Sequence, residues 1–438
     1  MFGHTNMLIL KLTRDCNLRC KYCYIKNKDN FKGEMMEFYT FKRIIQRIIK
    51  DRKKATYPPK IFTLVLHGGE PLLAGHKKLR LFLGYASRKF EESGVKHRFS
   101  MQTNLTLLST EILSVLHDYD VTVGVSFDGI KESNSSRTDI NTEKFDTHFR
   151  ELTDFNINFG FLMVVNKANI NNIAESLDYI FKKYDTGPLK INYAEDVLGV
   201  GGSEVTGKEF FEKAWKVVLD RFLEKENTKQ LEESNLSNIL ERYFSNIITK
   251  KNNIEYMRSN CGLKICGGGS NIIEINPDGS VHYCGRYSED FKETYIQNIE
   301  DEEFLELKQI SRYFDTVKVK HKILKENECD LCPADGICDH GCPAFYYSKY
   351  GKFGLRKDLV CEIFIPLYYY LVKNEIRLFN KLYETKKNQD GIWYLNLHLN
   401  IEDEWIDNIT KKFKGYYVER DKNFKTENFN PQIAIRKK

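Results

Sequence analysis

The sequence predicts an α/β protein in which a partial (β/α)6 TIM-like barrel is followed by a cysteine-rich α+β region. Residues 7–200 alternate short apolar runs with longer amphipathic stretches, which is typical of parallel strands joined by helices. Six such units, fewer than a closed barrel requires, indicate an open barrel. From residue 259 to about 365 this periodicity gives way to glycines, turns and cysteines. That region would need bound metal to stay folded.

Each predicted strand is a short run rich in β-branched or aromatic residues. In barrels of this kind the chemistry lies at the C-terminal ends of the strands. Two motifs directly follow predicted strands, namely a group of cysteines after the first strand and His67–Pro71 after the second. The first intervening helix is predicted over Phe41–Ile49, with its isoleucines on one face. The six predicted strands are Leu8–Leu12, Phe62–Leu66, Phe99–Gln102, Val121–Phe127, Phe159–Val165 and Leu189–Tyr193.

The changes in pattern divide the chain into four predicted parts. These are a barrel (1–204), a helical bridge (205–258), the cysteine-rich region (259–365) and a C-terminal helix with a small α+β extension (366–438). Within the cysteine-rich region, Asn276–Gly279 predicts a turn and Ser280–Cys284 the second strand of a hairpin. The C-terminal part is predicted as a helix over Phe364–Tyr383, a strand over Ile392–Leu399 and a helix over Ile401–Phe413.

The composition is that of an ordinary globular protein, with 438 residues of which 41% are hydrophobic and 29% charged. No apolar run approaches the roughly 18 residues of a membrane span, and no signal peptide opens the chain. We therefore expect a cytoplasmic protein without membrane association, whose clustered cysteines bind metal rather than form disulfides. The net charge of +6 is spread along the chain, so no nucleic-acid partner is expected.

Cys16, Cys20 and Cys23 form a C-x3-C-x2-C motif near the N-terminus. A [4Fe–4S] cluster normally takes four thiolates, so three leave one iron open to a further ligand. A zinc knuckle is the alternative, but it usually has a fourth Cys or His at short spacing, and none follows Cys23. With the aromatic Tyr22 before the last cysteine, the motif resembles the signature of the radical S-adenosylmethionine (SAM) superfamily. The resemblance implies reductive cleavage of SAM to a 5′-deoxyadenosyl radical that abstracts hydrogen from unreactive C–H bonds.

The segment after the second predicted strand resembles the motif with which that family binds the SAM amino group. Its glycines would let backbone carbonyls approach the ligand, and its glutamate would add a negative charge. The resemblance also implies that Tyr22 packs near the adenine, and that three polar residues contact the ribose, the carboxylate and the adenine edge. Ordinary strand-end polarity is the alternative for those three. The predicted SAM contacts are Tyr22, Gly68, Gly69, Glu70, Pro71, Ser126, Arg137 and Asn166.

The other eight cysteines read C-x4-C-x12-G-x4-C, C-x2-C-x5-C-x3-C and a final cysteine. This pattern resembles the SPASM domain, the auxiliary-cluster module of radical SAM enzymes that mature peptides and proteins. The resemblance implies two interleaved [4Fe–4S] ligand sets. With the cluster at the first motif, to which SAM would bind, this gives three clusters in all. Two tetrahedral zinc sites are the alternative. The implied sets are Cys261, Cys266, Cys284 and Cys342 for one cluster, and Cys329, Cys332, Cys338 and Cys361 for the other.

The resemblance implies an oxidoreductase that acts on a ribosomally made peptide. Some relatives build cyclophane-type carbon–carbon, ether or thioether crosslinks, and others oxidise a sulfatase Cys or Ser to formylglycine. The latter usually carry a basic aspartate directly after the third auxiliary cysteine, where this chain has Gly285. That departure favours crosslinking, with formylglycine formation and a non-catalytic cluster scaffold as alternatives. The catalytic base is not identified, and Asp128, Glu195 and Asp196 are acids at strand ends.

Partners follow from the same resemblance. Cluster reduction implies an electron donor such as flavodoxin or ferredoxin. Because the first predicted strand begins within ten residues of the start, we expect no N-terminal leader-binding domain. Leader recognition would then come from a separate protein, from the barrel, or from the C-terminal part. In that part Ile392–Leu399 could pair edge to edge with an extended peptide. The alternative is that this part only packs over the cysteine-rich region.

Overall fold

The computed structural model describes most of the barrel and parts of the regions that follow it. The described residues are 2–25, 28–137, 142–184, 188–194, 204–224, 231, 233–249, 267–269, 271–286, 295–301, 322–350, 352, 354–375, 377–378, 381, 393–395, 416–420 and 433–437. The chain forms two compact units. The first comprises Met1–Val205, Ser259–Glu328 and His340–Arg356, and the second comprises Thr206–Arg258, Cys329–Asp339 and Lys357–Lys438.

Six parallel strands and five helices form the barrel of the first unit. The strands are β1 (Met7–Thr13), β2 (Phe62–Gly68), β3 (His97–Thr103), β4 (Thr122–Ser126), β5 (Phe159–Val165) and β6 (Leu189–Tyr193). The helices are α1 (Phe38–Lys54), α2 (Gly75–Glu92), α3 (Thr110–Asp118), α4 (Thr142–Asp154) and α5 (Ile173–Lys183). Neighbouring strands pair in chain order and all in parallel. The predicted open barrel of six β/α units is confirmed, with strand ends shifted by two residues at most.

The barrel core lies between the strands and the helices. Alternate strand residues such as Leu8, Leu10 and Leu12 are fully buried. On the helix side, Phe41 of α1 stacks on Phe82 of α2 with their ring centroids 4.3 Å apart. The residues between the buried positions point to the opposite face of the sheet, because side chains alternate along a strand. That inner face carries the polar side chains of the site.

Strands of the cysteine-rich region extend the barrel sheet beyond β1. Strand β7 (Ile272–Ile275) pairs in parallel with β1, and β8 (Ser280–His282) and β9 (Tyr295–Asn298) follow as antiparallel neighbours. This confirms the predicted turn and hairpin. Gly279 has a φ of 82°, and a Cβ there would lie 2.7 Å from Cγ2 of Ile299, so both conformation and space require glycine. A helix, α9 (Pro343–Tyr350), completes the described first unit.

The second unit is built from helices and a small sheet. Its helices are α6 (Gly207–Phe210), which continues through a π-helical turn (Phe211–Trp215) into α7 (Lys216–Glu224), then α8 (Ser234–Thr249) and α10 (Lys357–Lys373). The sheet has the order β10 (Trp393–Leu395), β12 (Ile433–Lys437), β11 (Tyr416–Arg420). The predicted helix over Phe364–Tyr383 was wrong at its start, because α10 begins seven residues earlier with a polar first turn, Lys357-Asp358.

Other predictions for this unit are tested only in part. Strand β10 lies inside the predicted strand Ile392–Leu399, at an edge of its sheet. The rest of that strand and the predicted helix Ile401–Phe413 lie outside the described residues. The borders of the compact units near residues 205 and 258 coincide with the ends of the predicted bridge. The four-part division by function stays a prediction. None of the helices in the described part of the chain combines the length and apolarity that a membrane span requires.

Candidate active site

The three cysteines of the first motif lie in the loop that follows β1. Cys16 is buried, whereas Cys20 and Cys23 are partly exposed. The sulfur of Cys16 accepts hydrogen bonds from the Leu18 backbone N–H (3.4 Å) and from Nδ2 of Asn104 (3.8 Å). Such donors stabilise a thiolate. Three thiols on one loop, one of them already supplied with N–H donors, are a donor set that fits an iron–sulfur cluster with one open iron.

Charged side chains fix the start of this loop. Asp15 accepts from the backbone N–H of Cys16 (2.7 Å) and from that of Gly33 (3.0 Å). Arg14 forms a forked ion pair with Glu34, in which Nε donates to Oε2 at 2.8 Å. A forked Arg–carboxylate pair fixes geometry as well as charge. The cysteine loop is therefore held on both sides before any ligand binds.

The Gly68-Gly69-Glu70 turn after β2 lies directly against the start of the cysteine loop. The backbone N–H of Gly69 donates to the Thr13 carbonyl at 2.8 Å, and that of Glu70 to the Asp15 carbonyl at 2.9 Å. A Cβ on Gly68 would overlap the Thr13 carbonyl oxygen, and one on Gly69 would overlap that of Asp15. Both glycines are thus required for the contact between two loops. From the sequence, both glycines were expected only to let backbone carbonyls approach the ligand.

The buried Glu70 side chain connects the turn after β2 to the end of β3. Its side chain is 1% exposed and accepts from the Thr103 hydroxyl (2.6 Å), the Leu72 N–H (3.0 Å) and the Asn104 N–H (2.7 Å). Burial raises the pKa of the Glu70 carboxyl, and these hydrogen bonds oppose the rise. Because Asn104 also donates to the sulfur of Cys16, Glu70 links the ends of β2 and β3 to the cluster loop. Its predicted role beside the SAM amino group stays a prediction.

Arg137 lies in a buried cluster with Tyr22 and Asp128. Nη1 of Arg137 donates to the Tyr22 hydroxyl (3.3 Å), which donates to Oδ2 of Asp128 (2.7 Å). The Arg137 side chain is 4% exposed, and its Nε has no hydrogen-bond partner among the described residues. Burial alone would lower the pKa of Arg137, but the charges of Tyr22, Asp128 and Cys20 reverse this and raise it. A buried guanidinium with an unsatisfied N–H fits a ligand carboxylate, as SAM carries.

The remaining predicted SAM contacts are placed at strand ends, as expected. Ser126, at the end of β4, is partly exposed and accepts from Nε2 of Gln102 at 2.8 Å. Asn166 is 1% exposed, and its Oδ1 accepts from the Ser136 hydroxyl (3.0 Å) and the Ala168 N–H (2.9 Å). Asn166 thus holds the segment that precedes Arg137. Contact of either side chain with SAM stays a prediction. The acids Glu195 and Asp196 lie outside the described residues.

A buried ion pair on the inner face of the sheet was missed by the sequence analysis. Nζ of Lys11 on β1 lies 2.8 Å from Oε1 of Glu274 on β7, and the two side chains are 2% and 1% exposed. Lys and Glu are almost never fully buried unless they are paired. A signal was present, because each is the single charged residue of an apolar strand, Met7–Thr13 and Ile272–Ile275.

Charges of this ion pair shift the pKa values of two further residues, Tyr24 and His67. Burial raises the pKa of Tyr24, and the charge of Lys11 opposes the rise while that of Glu274 adds to it. Burial lowers the pKa of His67 to about 4, with the charge of Lys11 acting in the same direction. His67 is therefore neutral at pH 7, and its Nδ1 accepts from the Gly68 N–H at 2.7 Å. In the pairing of β1 with β2, Lys11 is opposite His67, which directly precedes the Gly68-Gly69-Glu70 turn.

The described auxiliary cysteines are divided between the compact units. Cys284 and Cys342 belong to the first unit, whereas Cys329, Cys332, Cys338 and Cys361 belong to the second. Burial raises the pKa of Cys329, and the charges of Cys361 and Cys332 raise it further. Cys261 and Cys266 lie outside the described residues, in which no three His, Cys, Asp or Glu side chains are grouped to hold a single metal ion. This division is compatible with the two interleaved sets that the resemblance implies.

Known proteins resemble the chain over the barrel and beyond it. Residues 10–180 match the family description Radical SAM superfamily. An uncharacterised protein of Archaeoglobus fulgidus is 26% identical over 362 residues, which are 81% of this chain and 78% of that protein. A cysteine-type anaerobic sulfatase-maturating enzyme of Clostridium novyi is 25% identical over 379 residues, which are 82% of this chain and 93% of that protein.

Solved structures share the fold. Native anSMEcpe with bound AdoMet has a TM-score of 0.69 at 22% identity, over 85% of this chain and 99% of that one. Streptococcus suis SuiB bound to precursor peptide SuiA has a TM-score of 0.58 at 15% identity, over 82% and 76%. These likenesses confirm the mixed α/β fold with its parallel sheet, which carries the cysteine loop at the strand ends.

Proposed function

We propose that this chain, which belongs to the radical SAM superfamily through residues 10–180, is a maturase that oxidises a side chain of a peptide or protein. Membership implies a [4Fe–4S] cluster and SAM as cofactors. The observation that carries the proposal is the buried Arg137 beside the three-cysteine loop, with a guanidinium N–H that no described residue satisfies. That arrangement suits a ligand that has a carboxylate at one end and binds the cluster.

The described residues suggest a division of labour at this site. Cys16, Cys20 and Cys23 would hold the cluster, and Arg137 would bind the carboxylate of SAM. Together the cofactors supply a 5′-deoxyadenosyl radical after one-electron reduction. Tyr22 orients the Arg137 guanidinium through its hydroxyl. Asp128 balances the Arg137 charge, so that a buried cation is tolerated before the ligand arrives.

Two auxiliary [4Fe–4S] clusters complete the proposal, giving three per chain. The first would be held by Cys261, Cys266, Cys284 and Cys342, and the second by Cys329, Cys332, Cys338 and Cys361. Support comes from the six described members, because the members of each set fall in the same compact unit. A cluster in each unit would tie together segments far apart in the chain. Such ties stabilise a region that is poor in apolar core.

The substrate class rests on the relatives. Full-length similarity to cysteine-type anaerobic sulfatase-maturating enzymes favours oxidation of a peptide cysteine to formylglycine. An oxidative crosslink of the cyclophane or thioether kind is the second candidate. The glycine at position 285, in place of the family's aspartate, supports it, and the SuiB fold was solved with a precursor peptide. Both reactions remove two electrons from a peptide side chain.

The expected partners belong to the same proposal. A reductase such as flavodoxin or ferredoxin would reduce the cluster, and a separate leader-binding protein would serve the crosslinking candidate. None of the nine described cysteines is disulfide-bonded, which supports metal binding in a reducing compartment such as the cytoplasm.

The experiment that tests the proposal uses the anaerobically reconstituted chain with SAM and dithionite. Two kinds of peptide are offered, a synthetic sulfatase peptide with its target cysteine and the short peptides encoded beside the gene. We expect peptide-dependent 5′-deoxyadenosine and a modified peptide, measured by mass spectrometry. Conversion of cysteine to formylglycine removes two hydrogens and replaces the sulfur with an oxygen from water, whereas a crosslink removes two hydrogens only. Thiol labelling then separates the candidates, since cysteine oxidation consumes a thiol and a carbon–carbon or ether crosslink does not. A Cys20→Ala variant is the control, and wild type that forms no 5′-deoxyadenosine despite an intact cluster would refute the proposal.

A further inference from the structure

Gly285 stands where a family member that forms formylglycine usually carries its basic aspartate. A Cβ built on Gly285 would overlap Oε2 of Glu274 and lie 3.5 Å from Cδ of that carboxyl. Glu274 belongs to β7 and pairs with His282 of β8, so it reaches this place from the neighbouring strand of the hairpin. The space of the missing side chain is thus filled by a carboxylate from another position in the sequence.

The Glu274 carboxylate is set up to accept a proton. It forms an ion pair with Lys11, in which Nζ lies 2.8 Å from Oε1, although the two side chains are only 2% and 1% exposed. A carboxylate paired with a buried cation is held in one orientation, as a general base must be.

The position of this carboxylate agrees with a role in the reaction. Lys11 lies near the C-terminal end of β1, just before the cysteine loop. The charges of Lys11, Glu274 and Arg286 contribute to the pKa of Tyr24, which directly follows Cys23. The charges of Lys11 and Arg286 help to lower the pKa of His67, which precedes the Gly68-Gly69 turn. In the pairing of β1 with β2, Lys11 is opposite His67. The Lys11–Glu274 ion pair therefore involves the strand that leads into the cysteine loop and lies next to the strand that leads into the Gly68-Gly69 turn.

We propose that Glu274 is the general base of the peptide oxidation and does the work of the aspartate that is absent at Gly285. This inference rests on the proposed function. Once a hydrogen atom has left the target carbon, the substrate must lose one proton and one electron to reach its product. For a cysteine target, the S–H bond breaks and a C=S bond forms. Glu274 takes the proton, and a one-electron acceptor of the iron–sulfur class takes the electron.

Glu274→Gln is the first test, with the sulfatase peptide deuterated at Cβ of its cysteine as probe. Deuterium in 5′-deoxyadenosine reports hydrogen abstraction, which needs no base, and the oxidised peptide reports the complete reaction. We expect deuterium transfer to persist while oxidised peptide per 5′-deoxyadenosine falls about 100-fold, within the usual range for a general base. Glu300→Gln, at an exposed acid in the same unit, is the matched control and keeps the wild-type ratio.

A relocated carboxylate gives the decisive comparison. In Glu274→Gly/Gly285→Asp the base returns to position 285, and we expect at least about a 10-fold recovery of the product ratio over Glu274→Gln. Gly285→Asp alone should unfold at a lower temperature than this double variant, because the new Cβ would overlap the Glu274 side chain. The unfolding temperature can be measured without any catalytic turnover. Lys11→Met/Glu274→Gln removes the whole ion pair and keeps the test valid if a lone Lys11 disturbs folding.

The outcomes separate this inference from the proposed function. Wild-type product ratios in Glu274→Gln and in the Lys11→Met/Glu274→Gln variant would overturn the role of Glu274 and leave the maturase proposal standing. A folded, cluster-loaded relocation variant that recovers no product would give Glu274 a structural role only. Absence of peptide-dependent 5′-deoxyadenosine in the wild type counts against the proposed function itself.

Discussion

Arg137 is buried and positively charged, and its Nε–H has no hydrogen-bond partner among the described residues. Removing a guanidinium from water costs several kcal/mol, and here Tyr22 and Asp128 offset part of that cost. The Nε that no described residue satisfies leaves a further cost in the ligand-free chain. A bound carboxylate would remove it. Binding of a carboxylate is therefore favoured, because it removes the cost of an unsatisfied N–H that is already present in the ligand-free protein.

Arg137→Lys tests this at the residue scale. Lysine keeps the charge but loses the planar fork, so we expect SAM affinity to fall about 10- to 100-fold, equivalent to a charged hydrogen bond of about 1.5–3 kcal/mol. Anaerobic calorimetry of the cluster-loaded chain with SAM measures the change. Arg88→Lys, at a side chain that is 65% exposed, serves as control. Equal affinity in the two variants would remove Arg137 from the binding site.

At the scale of elements, the site depends on how closely two loops approach. The turn after β2 and the loop after β1 share two backbone hydrogen bonds, and side chains at Gly68 and Gly69 would prevent them. The end of β3 joins the same assembly through Glu70, which accepts from Thr103 and Asn104. Three neighbouring strand ends are thus locked together around Cys16. These contacts fix the start of the loop that carries the three thiols.

Gly69→Ala tests the contact between these loops. The new Cβ would overlap the Asp15 carbonyl, and such overpacking typically lowers the free energy of unfolding by about 1–3 kcal/mol. Anaerobic denaturant titration measures the loss, and we also expect less iron retained per chain. Gly94→Asn is the control, since its φ of 68° suits asparagine and nothing lies within 4 Å of its Cβ. If both variants unfold alike, the loops do not meet as described.

At the scale of the whole molecule, the chain passes between two compact units several times. The segment Cys329–Asp339 belongs to the second unit, whereas the residues on both sides of it belong to the first. Cys342 returns to the first unit, and Cys361 on α10 lies again in the second. The four described cysteines of one predicted ligand set thus lie in the second unit, and the two described cysteines of the other lie in the first.

Single substitutions should separate the two auxiliary clusters. Cys342→Ser and Cys361→Ser are each expected to lose about four irons and the matching sulfide, and the double variant about eight. Only Cys361→Ser should sensitise the second unit to limited proteolysis, because that unit loses its own tie. Iron and sulfide analysis with peptide mapping measures both effects. Loss of all eight irons in either single variant would show that the sets are not independent.

The sequence by itself determined the parts of this protein whose information is local. Strand identity follows from runs of apolar residues, so all six barrel strands were predicted to within two residues at either end. Likewise, Asn276–Gly279 predicted its turn. Each of these patterns is complete within one short segment. The three ligand sets implied by the cysteine pattern stay a prediction. The start of α10 was missed because its polar first turn, Lys357-Asp358, carries no apolar periodicity.

Only the tertiary structure decided which distant residues meet. The Lys11–Glu274 pair exists because β7 joins the sheet beside β1, and strand order cannot be read from either strand alone. In the same way, the space beside Gly285 is filled from β7, so a position that lacks a base in the sequence receives a carboxylate from a neighbouring strand. Local patterns fix what a segment becomes, whereas the electrostatics of a buried site depend on side chains that the sheet brings together.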